Sequence, residues 1–152
     1  MLTQPSPYYR AAESLRDNGY RAMPIRPGTK SPGQWSQERG WENMSGWVKY
    51  CDTTPADFIH EQWERWPDAG VCVAHGNIIG LDLDTDRTDV SDAIGGAILP
   101  SEVRRRGAKG WMAYYRPGEG LADLPARVRW YDGEGQICVE LMLRGTQSVL
   151  PP

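Results

Sequence analysis

The spacing of apolar residues changes once along this chain, near residue 69, and that change limits the fold more than any other feature. Upstream, apolar side chains recur at helical spacing. Ala11, Ala12 and Leu15 share one face of a helix predicted over Tyr8 to Asn18, with Gly19 just past its end. A short strand is expected from Tyr20 to Ile25, then a turn-rich stretch from Arg26 to Asn43. Thr54 suits an N-cap, Pro55 the first helical position and Asp57 the positive end of a second helix. Ile59, Trp63 and Trp66 make its buried stripe, and Pro67 stops it. Downstream the period is two. Gly70 to Ala74 and Ile78 to Asp84 read as strands joined in a hairpin at His75-Gly76-Asn77. Ser91 to Arg106 reads as a helix that Gly95-Gly96 and Pro100 are able to split. Trp111 to Arg116 reads as a strand, Arg127 to Tyr131 and Gln136 to Leu143 as a hairpin, and Gln147 to Leu150 as a last strand. Helices early and strands late predict an α+β fold with a largely antiparallel or mixed sheet flanked by helices.

Composition narrows the function classes. At 152 residues, with no linker or repeat, the chain is the size of one domain, 1–152. No apolar run is long enough to span a membrane, and the N-terminus lacks the regions of a signal peptide. Three cysteines without Cys-x-x-Cys spacing argue against a disulfide framework or structural zinc site, and suit a reducing cytoplasm. Cys72 and Cys138 lie in apolar strands as inert thiols. A net charge of −3 excludes a protein that coats nucleic acid by bulk charge.

The chemistry-bearing residues fall in four groups. Asp82 and Asp84, in Leu81-Asp82-Leu83-Asp84, project from the same face of a strand, roughly 6–7 Å apart. Two carboxylates on one apolar strand repel each other and lose solvation, which a hard divalent cation such as magnesium or manganese relieves. The alternative is a strand end whose acids point into water. Glu140 stands alone in Ile137 to Leu143, with three apolar residues on each side. It either completes a three-carboxylate set of the kind phosphoryl transfer uses, or pairs with an arginine such as Arg129 or Arg144. Arg104-Arg105-Arg106-Gly107-Ala108-Lys109-Gly110 offers a phosphate contact from Lys109 between glycines; the three arginines equally suit a basic helix end. The loop Arg26 to Gly33 carries Arg26 and Lys30 and leads to Trp35 and Trp41, candidates for stacking on bases. Trp47, Trp63 and Trp66 are assigned to packing. Of the two histidines, His60 reads as structural, whereas His75 precedes the Asp82 strand and is within reach of its pocket.

These elements, in this order, resemble the bifunctional DNA primase/polymerase domain of the archaeo-eukaryotic primase superfamily, found in phage, plasmid and bacterial replication proteins. The resemblance runs from Ala11-Ala12-Glu13-Ser14-Leu15 through Pro27 to Pro32, Trp66 to Val71, and Leu81 to Asp84. It ends with Val139-Glu140-Leu141 and Arg144 to Pro152. It implies an RRM-like catalytic core and template-directed nucleotidyl transfer from nucleoside triphosphates on single-stranded DNA. By carry-over, Asp82, Asp84 and Glu140 hold Mg²⁺ or Mn²⁺, with Lys109, Arg106 and Lys30 as nucleotide contacts. Glu140 stands where the family often has Asp. The chain departs at Met112, which occupies the place of a family histidine that contacts the incoming phosphates; Lys109 and Arg106 are expected to supply that contact instead. Family members usually continue past Pro151-Pro152 into helices and often a helicase, so the chain reads either as an isolated domain or as one excised from a longer replication protein, with a helicase domain or subunit as the expected partner. The alternative function is a non-catalytic module that keeps the fold and binds nucleic acid or nucleotide.

Overall fold

The computed structural model describes residues 5–151. It is α+β, with every strand pair antiparallel among the described residues. No described helix is long and apolar enough to cross a membrane. The chain packs as two compact units, the first made of the residues up to Ala74 together with those from Gln147 onward, the second of His75–Thr146.

In the first unit, helix α1 (Pro7–Asp17) opens with Ser6, whose hydroxyl accepts from the Tyr9 N–H at 3.2 Å. It closes at Gly19, where φ is +79° and the N–H donates to Arg16 O. Strands β1 (Ala22–Ile25), β4 (Gly70–Ala74) and β10 (Gln147–Val149) form a three-stranded sheet with β4 in the middle. Between β1 and β4 lie the hairpin of β2 (Gly33–Ser36) and β3 (Gly40–Asn43), a 3-10 turn at Trp47–Cys51, and helix α2 (Asp57–Glu64). Helix α2 starts two residues later than Thr54 suggests. Ala56 is its N-cap, and no side chain satisfies its first amides.

The core of this unit is aromatic. Trp63 stands edge-on to Tyr8, Tyr50 and His60, with ring centroids 5.4–6.0 Å apart. Trp41 and Trp35, expected as base-stacking candidates, pack in part against this core, and Trp41 Nε1 donates to Pro67 O at 3.1 Å. His60 is structural, as the sequence suggests: it is fully buried, and its Nδ1 shares a hydrogen bond with the Tyr8 hydroxyl.

The second unit holds a five-stranded sheet in the order β6-β7-β5-β9-β8. Its members are β5 (Ile79–Asp84), β6 (Arg104–Arg106), β7 (Gly110–Tyr115), β8 (Arg127–Tyr131) and β9 (Ile137–Met142). The unit is entered and left at adjacent backbone, since His75 N–H donates to Thr146 O at 2.9 Å. Two sequence expectations fail here. Strands β4 and β5 do not form a hairpin across His75-Gly76-Asn77; they belong to different sheets. The helix expected over Ser91 to Arg106 is α3, Thr88–Ala97, and Arg104–Arg106 is an edge strand rather than a basic helix end. Pro100 cannot continue a helix, and the arginines suit an edge, where charge discourages pairing with other chains. Arg104 also stacks over Trp111, 5.3 Å from the ring centroid.

Two predictions follow from this packing. A Cβ on Gly110 would lie 2.0 Å from Leu83 O, so Gly110→Ala must push β7 away from β5. Thermal unfolding of this variant should show a loss of ~3 kcal/mol or more, whereas Gly118→Ala, with open space around it, should be near neutral. Burial lowers the His60 pKa from 6.5 to about 4, with Arg16 adding to the shift. Between those pH values the unfolded chain takes up a proton that the folded chain refuses, so this contribution is complete above about pH 6.5 and declines toward pH 4. Urea unfolding should therefore show a loss of ~2 kcal/mol from His60 between pH 6.5 and 5. A His60 ring that titrates normally near pH 6.5 in the folded protein would contradict this.

Candidate functional site

Strand alternation and register decide which side chains share a face in the second unit. Asp82 on β5 lies directly opposite Glu140 on β9 and Met112 on β7. Met112 in turn lies opposite Arg105 on β6, and Glu140 opposite Arg129 on β8. One row of the sheet therefore reads Arg105, Met112, Asp82, Glu140, Arg129. The neighbouring row contains Leu83, Trp111 and Val139 and projects from the other face. Helix α3 touches that other face, where Trp111 Nε1 donates to Ser91 Oγ at 3.0 Å. The carboxylates thus lie on the face away from α3.

Asp82 and Glu140, like charges directly opposite across a strand pair, are in an unfavourable arrangement unless countered. The Glu140 charge is countered by arginine. Its Oε1 accepts from Arg127 Nη1 at 2.6 Å and lies 3.5 Å from Arg129 Nη2. Its side chain is only 14% exposed, so the pairing is partly shielded from solvent. Of the two arginine partners considered from sequence, Arg129 is engaged, and Arg127, not considered there, makes the shorter contact. Asp84 lies two residues beyond Asp82 on the same face, exposed, past the last β5–β9 pair at Leu83 and Val139. Among the described residues, no three His, Cys, Asp or Glu side chains are gathered closely enough to hold a metal ion. The donors nevertheless fit a hard divalent cation in kind, being three carboxylates on one face with no soft ligand among them.

Met112, 2% exposed, fills the space over Gly80, where a Cβ would fall 2.2 Å from its methyl and 3.1 Å from His75 Cε1. Arg105 Nη2 lies 3.6 Å from the Met112 sulfur. His75 is buried beside it, its Nδ1 sharing a 2.7 Å hydrogen bond with Thr146 Oγ1 and its ring edge-on to Tyr114. Burial first, and the charge of Arg127 second, lower its pKa to about 4, so at neutral pH it is an uncharged packing group.

Lys109 and Arg106 line a cavity of about 190 Å³ past the end of β5, on the side of Trp111 and Ser91, the face opposite the carboxylates. Its other walls include Thr85, Asp86, Arg87 and Thr88, where the first turn of α3 begins, and no side chain caps that helix. Amides at a helix start favour anions, and here the Asp89 carboxylate already faces those of Asp89 and Val90. The volume is below that of pockets that enclose whole small molecules and suits phosphate groups better than a complete nucleotide. The sequence reading missed this second wall; Thr85-Asp86-Arg87-Thr88 follows the acidic motif directly and was its only signal. Lys30 lies in the first unit, on the exposed turn between β1 and β2, where its carbonyl accepts from Gln147 Nε2 at 2.7 Å.

Comparison with curated proteins gives no match. A family model, described as bifunctional DNA primase/polymerase, N-terminal, matches residues 11–152, nearly the whole chain. With the acidic strands in register and the sheet assembled around them, the chain belongs to the bifunctional DNA primase/polymerase N-terminal domain family.

Proposed function

We propose that this chain is a metal-dependent nucleotidyltransferase that joins nucleotides on a single-stranded DNA template. The observation that carries this reading is the register that puts Asp82 opposite Glu140, in a chain of a primase/polymerase family. In this reaction a 3′-hydroxyl attacks the α-phosphate of a nucleoside triphosphate and pyrophosphate leaves. Asp82, Asp84 and Glu140 are the residues to hold Mg²⁺ or Mn²⁺. When bound, such ions stabilise the charge that builds on the attacking and leaving oxygens. Lys109 and Arg106 are the phosphate contacts, from the cavity past the end of β5 whose walls include Trp111 and the start of α3. A helicase domain or subunit is the partner this role calls for, in the cytoplasm where replication takes place.

A second reading, a nucleotide- or DNA-binding module without catalysis, is favoured by Met112, whose thioether cannot hydrogen-bond a phosphate as a histidine does. Primer synthesis with Mn²⁺ or Mg²⁺ separates the two. The parent chain should yield product and Asp82→Ala/Asp84→Ala should lose it by ~100-fold or more, as expected when transition-state charge stabilisation is removed. Product that persists in the double variant overturns the catalytic reading, and a parent inactive with every metal and template supports the binding module. Lys109→Ala should weaken triphosphate binding ~10-fold, about one charge-assisted hydrogen bond, and leave the melting temperature unchanged. Calorimetric titration checks the first and thermal unfolding the second.

A further inference from the structure

Arg127 and Arg129 come from alternate positions of the edge strand β8, so both side chains project from the face that carries Glu140. Both reach the same oxygen, Glu140 Oε1. Each arginine is itself less than half exposed, at 44% and 42%, and the carboxylate between them is far more enclosed. Such a pairing is screened less than one between two fully exposed side chains, because its acceptor is largely removed from water. Two guanidinium charges therefore already balance the acid that the proposed ion would need, and Asp82 stands directly across from it.

We propose that Arg127 and Arg129 form a clasp on Glu140 that competes with the divalent cation, so that the ion must displace arginine from the carboxylate to gain its third ligand. The proposal rests on the reading of Asp82, Asp84 and Glu140 as the metal-holding set. It makes the two arginines positioning residues that act through Glu140. They keep the acid folded and neutralised while no ion is bound, and they set how much free metal is needed to load the site. The same arginines, once released, remain on the sheet face beside the site as cations facing an anionic substrate.

The test is Mn²⁺ binding to the full chain, read by electron paramagnetic resonance as the loss of free-ion signal. Arg127→Gln/Arg129→Gln should bind Mn²⁺ at least ~10-fold more tightly than the parent. Arg127→Lys, which keeps the charge, should stay within ~3-fold of it. Arg104→Gln is the control for a general field effect: it removes one charge from the far edge of the same sheet and should also change affinity less than ~3-fold. Equal or weaker binding by the double variant overturns the clasp while leaving the metal site standing. Tighter binding that Arg104→Gln reproduces also overturns it, in favour of long-range charge. Should parent and double variant alike bind no Mn²⁺, the metal reading fails and the clasp falls with it. Circular dichroism melts of each variant establish that affinities are compared between folded proteins.

Discussion

Asp82 and Glu140 face each other across adjacent strands of an antiparallel sheet, and two negative charges at that distance require compensation. The arrangement around them supplies it in a specific way. Glu140 is bound by Arg127 and Arg129, Met112 lies opposite Asp82 on the other side, and Arg105 closes the row beyond Met112. The sheet tolerates acids in its middle because cationic edge strands flank them. The same feature makes β6 and β8 poor templates for further strand pairing, so one choice of residues serves both electrostatic balance and solubility.

The close approach of β7 to β5 has a separate cause. At Gly110 the backbones come so near that no side chain fits, and at Gly80 the missing Cβ leaves room for Met112 and His75. These two glycines bring the row of charged and sulfur-bearing side chains together at the centre of the sheet. His75 occupies the space beside Met112, but its burial keeps it neutral and its hydrogen bond to Thr146 directs it to holding the unit's two ends together. The cations past the end of β5 are Lys109 and Arg106, which line the cavity beside Thr85 and Asp86.

Much of this was legible in the sequence, for local reasons. Period-two alternation gave β5, β7 and β9 to within a residue or two, and Asp132-Gly133-Glu134-Gly135 marked the β8–β9 hairpin, with Gly135 at φ +80° as the turn requires. The acidic motif and Glu140 stood out because charge interrupts apolar strands. What was not legible depends on partners distant in the chain. Alternation cannot say which strand a strand pairs with, so β4 and β5 looked like a hairpin although each pairs elsewhere. Arg104–Arg106 is a strand only because β7 is there to pair with it. Arg127 is thirteen residues from Glu140 and carries no motif, so its contact depended on the hairpin's register.

The central claim is that a divalent cation belongs on the sheet face shared by Asp82, Asp84 and Glu140. Backbone amide resonances report its location directly, because Mn²⁺ broadens signals according to distance. Titration of the ¹⁵N-labelled chain with substoichiometric Mn²⁺ should broaden the amides of β5 and β9 around Asp82 and Glu140 first, and should not do so in Asp82→Asn/Glu140→Gln. Broadening centred on exposed acids elsewhere, with β5 and β9 unaffected, would contradict the account.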